Sequence, residues 1–138
     1  MAFGGEYGSL ISLTFQASVG SLVAGADVGA TLQIAGGNWA VPPGATFSPV
    51  QISCYTDDVL AQAGSVSCKV VSDATLRVSP AVTVVTNAAY AASASISPGA
   101  CILTAGQLVG ARLTASSDWI NDNATVAIVI VLGYLRDA

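Results

Sequence analysis

Histidine is absent from this 138-residue chain, and charge is scarce: four Lys and Arg and eight Asp and Glu make up 9% of the residues, against about 25% in an ordinary soluble domain. Without histidine there is no Ser-His triad, no imidazole general base and no His-containing metal site. The phosphate-cradling patterns GxGxxG and Gly-Lys-Ser/Thr are missing as well. These absences exclude most hydrolase and nucleotide-dependent chemistries, and the chain is expected to be no enzyme and to carry no cofactor or metal. The net charge of −4, with only Lys69, Arg77, Arg112 and Arg136 positive, offers no phosphate-binding surface, so nucleic acid is not an expected partner.

Also lacking is an apolar run long enough to cross a bilayer as a helix. The longest, ATVAIVIVLGYL at 124–135, stops at Arg136 and Asp137, short of the roughly 20 residues a span requires. No membrane role is expected. The N-terminal MAFGGEYGSL has no basic residue ahead of its apolar part and is broken by Gly4, Gly5 and Gly8, unlike a secretory signal. Three cysteines, an odd number, fit reduced thiols better than a closed disulfide framework.

What is present points to β-structure. Ala, Gly, Ser, Thr and Val dominate, and Leu-rich helical heptads are missing. The 124–135 run carries Val126, Ile128, Val129, Ile130 and Val131, β-branched side chains that suit a pleated sheet. As a strand its flanks are Thr125, Ala127, Val129, Val131, Gly133, Leu135 and Ala124, Val126, Ile128, Ile130, Leu132, Tyr134, both mostly apolar. A strand that does not alternate needs cover on both sides, from its own chain or another subunit.

Alternation is clear at Ile11, Leu13, Phe15 and Ala17, at Val28, Ala30, Leu32 and Ile34, and at Val50, Ile52 and Cys54. Turn signals at Gly36-Gly37-Asn38, Pro42-Pro43-Gly44, Asp57-Asp58, Gly64-Ser65, Ser79-Pro80, Pro98-Gly99, Ala105-Gly106 and Asn121-Asp122-Asn123 punctuate the chain. Further strands are expected near 65–71, 75–78, 82–86, 107–115 and 125–135, while 88–96 reads as a helical turn or an Ala/Ser loop. The whole predicts a single all-β domain, a jelly-roll-like antiparallel β-sandwich over 9–138 behind a short N-terminal arm, 1–8.

An internal similarity stands out. LVAGADVGATL at 22–32 aligns with LTAGQLVGARL at 103–113, and each is followed by a Trp-containing turn and an Ala-Thr step into a strand. Two comparable strand-loop-strand units are expected, as in the paired Greek keys of a jelly roll.

Residues with chemistry are few. Asp57 with Asp58, and Asp118 with Asp122, are read as turn formers that bond nearby backbone, although paired carboxylates also serve glycoside hydrolysis or calcium. Cys54 and Cys68 fall on inward strand faces that a hairpin around Ala61 makes neighbours. They read as small core residues, with a disulfide as the alternative. Trp39 and Trp119, each after a turn, cap the core or an intersubunit seam, or else form a sugar-stacking platform. Asn123-Ala124-Thr125 fits a glycosylation sequon, which carries weight only in a secreted protein.

The order of pieces, VPPGATFSPVQI, GSVSCKVVSDAT, a Pro- and Ala-rich middle, LTAGQLVGARLTAS and ATVAIVIVLGYLR, resembles the jelly-roll domains of tailed-bacteriophage structural proteins: capsid decoration (cement) proteins, head fibres and tail-fibre tips. In such domains the AG-Q/D-L/V step enters the strand paired with the last one. The resemblance spans about residues 21–136. It implies a homotrimer on the outer surface of a phage head, bound to the major capsid protein and made in the host cytoplasm, with a fibre-tip module binding host-surface glycan as the alternative. A chain complete in 138 residues favours the free-standing decoration protein. The subunit or capsid interface is expected to involve Phe3, Tyr7, Trp39, Trp119, Val129, Val131 and Leu135.

Overall fold

The computed structural model describes residues 8–18, 22–25, 27–32, 39–56, 61–63, 66–72, 75–76, 82–84, 91–97, 101–121 and 126–137. Within them the protein is all β, with no helix. The strands in chain order are β1 (Ser9–Ser18), β2 (Asp27–Leu32), β3 (Trp39–Ala40), β4 (Ala45–Thr56), β5 (Ala61–Ala63), β6 (Val66–Ser72), β7 (Thr75–Leu76), β8 (Val82–Val84), β9 (Ala91–Ser95), β10 (Leu103–Thr104), β11 (Leu108–Ala115), β12 (Ile120–Asn121) and β13 (Val126–Asp137).

All described pairings are antiparallel; apart from a separate two-stranded sheet of β5 and β12, they build the two layers of a β-sandwich. In the first layer β13 is central, with β4 on one side and β1 on the other, and β9 and β10 continue beyond β4. In the second, β11 lies between β2 and β6, and β7 and β8 extend from β6. The layers join through β2, which also pairs with β1 at Phe15↔Leu32 and Gln16↔Thr31. Between them lies one core that includes Phe15, Phe47, Ile52, Val70, Leu103, Leu113, Val129 and Val131.

The repeated segments stand in a symmetric relation. The aligned residues Ala30 and Ala111 face each other directly across β2 and β11. In the other layer Ile52 faces Val131 across β4 and β13, the strands that follow each repeat. A pseudo-twofold axis therefore runs through both layers, relating β2 to β11 and β4 to β13. It extends to the first strand of each half: β1 lies against β13 with Leu13 opposite Val131, and β9 lies against β4 with Ala94 opposite Ile52. Each half thus lends its last strand to the first strand of the other. The shared AG step forms the same turn twice, with Gly25 and Gly106 at φ 76° and 86°, the left-handed region that glycine enters without a Cβ penalty.

Four expectations are corrected. Residues 91–95 form a strand rather than a helical turn or loop, because β4 offers them a free edge. Strands β4 and β6 are not hairpin neighbours, since β4 is flanked by β13 and β9 and β6 pairs with β11. The strand entered by the AG step, β11, pairs with β2, β3 and β6 and not with the last strand. Finally, Val129, Val131 and Leu135 face inward, buried in this chain's own core, so this flank of β13 is covered by its own chain rather than by another subunit.

Candidate functional site

The flank of β13 that the core does not use is Val126, Ile128, Ile130, Leu132 and Tyr134. Its burial alternates with the inward set, and Ile128 remains 38% exposed. Cross-strand pairing surrounds this apolar stripe with small polar residues. Ile130 lies between Thr14 of β1 and Ser53 of β4, and Ser53 in turn faces Ser93 of β9. Leu132 lies between Ser12 and Gln51, and Ile128 between Gln16 and Tyr55. At one end Tyr134 pairs with Leu10, itself 55% exposed.

No residue in these rows is charged; the first charge comes at Arg136, whose guanidinium lies 5.7 Å from the Tyr134 ring centroid. The outer face of the second layer differs, for there Arg112 and Lys69 stand directly opposite each other across β11 and β6. Like charges side by side belong on a face that meets water. The two faces of the sandwich are therefore chemically distinct. One is ready for water, and the other has little reason to remain in it.

Trp119 is 4% exposed, and its indole N–H donates to the Leu22 carbonyl at 3.0 Å. No ring face is left for a sugar, so of the two readings of Trp119 the core cap holds and the stacking platform does not. The turn that seats it is local: the Trp119 N–H donates to the Ser116 carbonyl at 3.2 Å, and Ser116 Oγ donates to Asp118 Oδ1 at 2.6 Å. Asp118 is thus a turn former, since its carboxylate takes up a hydroxyl of its own loop. Removing the indole donor strands a buried carbonyl, so Trp119→Phe is expected to cost about 1–2 kcal/mol in urea unfolding. Trp39 is half-buried and packs edge-on to Phe47, with ring centroids 5.3 Å apart. Phe3, Tyr7, Asp57, Asp58, Asp122 and the sequon at 123–125 lie outside the described residues.

No three His, Cys, Asp or Glu gather as a metal site among the described residues. No helix there is long and apolar enough to cross a membrane. The three cysteines are buried and not joined by disulfides, and Cys54 and Cys68, both 0% exposed, meet across the core from the two layers. The hydrogen bond with Cys54, reinforced by burial, pushes the Cys68 thiol well above the ordinary range.

The sign of the resulting pH dependence follows from that shift. Above the unfolded-chain thiol pKa of about 8.5 the unfolded state releases this proton while the folded state keeps it, so stability falls with rising pH. Between about pH 9 and 10 this thiol is expected to remove up to about 1.4 kcal/mol per pH unit. Urea unfolding of the reduced protein across that window, compared with Cys68→Ala, isolates its share.

Compared with known proteins, the chain matches no family model and no curated sequence.

Proposed function

We propose that this protein is a structural virion component, a decoration protein that docks as a trimer on the outside of a phage head and stabilises the shell through buried apolar area. The observation that carries the proposal is the uncharged flank of β13, an apolar stripe bordered by Ser, Thr and Gln. Hydroxyls and amides both donate and accept, so copies of such a face meet without like-charge repulsion and without stripping water from ions. Three stripes converging on a threefold axis remove them from water at about 25 cal/mol per Å² before association costs. The layer bearing Lys69 and Arg112 then faces outward.

The assignment to a capsid, with the major capsid protein as partner and the virion surface as location, draws on the strand order and turn types of phage jelly-roll domains.

Sedimentation equilibrium at micromolar concentration is expected to give the trimer mass, and the purified protein is expected to co-sediment with phage heads stripped of their decoration. A folded monomer at that concentration overturns the trimer. A trimer that ignores the heads overturns the capsid assignment.

A further inference from the structure

Cys54 lies at the inner surface of the first layer, on β4 between Val129 of β13 and Ala92 of β9. Cys68 lies at the inner surface of the second layer, on β6 between Leu113 of β11 and Val82 of β8. Both are completely buried in the same core, and their thiols are within hydrogen-bonding reach of each other. No strand pairing joins β4 to β6, so these two side chains form a direct polar link between the layers. The third thiol, Cys101, is buried just ahead of β10, whose strand is paired at the opposite end of β4, by Thr46 and Phe47.

We propose that Cys54 and Cys68 are a latch between the two layers: a disulfide formed by thiol–disulfide exchange with a small disulfide such as oxidised glutathione while the sandwich is open, and retained when it closes. In the first step the thiolate of one cysteine attacks a glutathione sulfur. The glutathione S–S bond breaks, and one glutathione leaves and takes up a proton. In the second step the thiolate of the other cysteine attacks the protein sulfur of the mixed disulfide, and the second glutathione leaves and takes up a proton. Two protein thiols are oxidised and one glutathione disulfide is reduced to two thiols.

Timing follows from the fold. In the closed protein both sulfurs are out of water, and the reactive species is the thiolate, which the buried Cys68 thiol resists forming. In the open chain nothing hinders it. The redox condition during folding therefore decides whether the layers are joined, and the folded reduced protein is inert to the same reagent. The latch is independent of docking on a shell.

The test uses the full chain. Reduced, urea-unfolded protein is refolded with oxidised glutathione, and folded reduced protein receives the same treatment. Refolding is expected to yield a species lighter by two hydrogens, with peptide mapping joining Cys54 to Cys68. This species is expected to melt about 10 °C above its reduced form, as closure of a loop of this length predicts. The folded protein is expected to react at least about 100-fold more slowly. Cys101→Ala is expected to give the same link and the same shift, and comparing each protein with its own reduced form removes any effect of the substitution on folding. A link through Cys101, glutathione adducts with no internal link, or a linked form that melts no higher than the reduced one overturns the proposal.

Discussion

Gly133→Ala is expected to destabilise the protein by about 3 kcal/mol, the upper end of what one added methyl costs in a filled core. A Cβ at this position would stand 2.5 Å from Phe47 Cε1, closer still to Cζ, and 2.9 Å from the Ser48 carbonyl oxygen. The ring has nowhere to go, being fully buried with Trp39 edge-on against it. The backbone at Ser48 is held as well, because it pairs with Tyr134 just beyond the register shift between Leu132 and Gly133. Melting is expected to drop by about 10 °C.

A double-mutant cycle separates this clash from any general intolerance of the strand. Phe47→Ala alone is expected to cost about 3–5 kcal/mol, as the loss of a buried aromatic ring does. With that ring gone the added methyl at 133 meets only the Ser48 carbonyl oxygen, 2.9 Å away, so the double variant is expected to be only slightly less stable than Phe47→Ala. The coupling then amounts to most of the cost of Gly133→Ala, the remainder belonging to the Ser48 carbonyl. Urea unfolding of the four proteins measures it, and simple additivity would show that the cost comes from the backbone rather than from the ring.

On the proposed trimer, Ile130→Lys is expected to abolish assembly while leaving the subunit folded. Ile130 is at the middle of the uncharged face, half-buried between Thr14 and Ser53, with its side chain directed away from the core. In a lone subunit a lysine there extends its ammonium into water, and the melting temperature of the monomer is expected to change by only a few degrees. At a threefold axis the same substitution brings three cations together with no carboxylate in the neighbouring rows. Trimer dissociation is expected to become at least about 100-fold easier, within the range of a hot-spot loss. Sedimentation velocity against concentration reads the effect, and Val131→Thr, on the inward flank of the same strand, serves as the contrast: it is expected to lower stability without changing mass. A trimer that persists in Ile130→Lys would place the interface elsewhere.

Much of the architecture is legible in the residues, and the gaps have physical causes. Strands β1, β4, β6, β11 and β13 announce themselves through alternation or β-branched runs, because packing against a core face imposes that pattern locally. Strand β9 is built from Ala and Ser, which carry little β preference, and it becomes a strand because β4 has an edge to offer. The very short β3, β5, β10 and β12 are likewise products of tertiary pairing.

The apolar run at 124–135 shows in sequence that both flanks of the strand are oily, but not which one enters the core. That choice is made by register, which sets Val129 and Val131 opposite the buried Cys54 and Ile52. Conversely, the similarity of 22–32 to 103–113 correctly pointed to paired units, because a symmetric arrangement has to place the same small residues at the same crossing points. The cysteines were rightly read as inward-facing. Their proximity is also legible, but its route is not: they meet across the sandwich rather than along a hairpin, because β4 is flanked by β13 and β9.

The position of β13 has a consequence for biosynthesis. It is the central strand of its layer, clasped by β1 and β4, yet all the other described strands of the sandwich are translated before it. Until it emerges from the ribosome, β1 and β4 have a strand-wide gap between them and the nascent chain has no way to shut. Ring closure between distant parts of a polypeptide is slow, so a protein arranged in this way spends its youth ajar and completes itself in one late insertion.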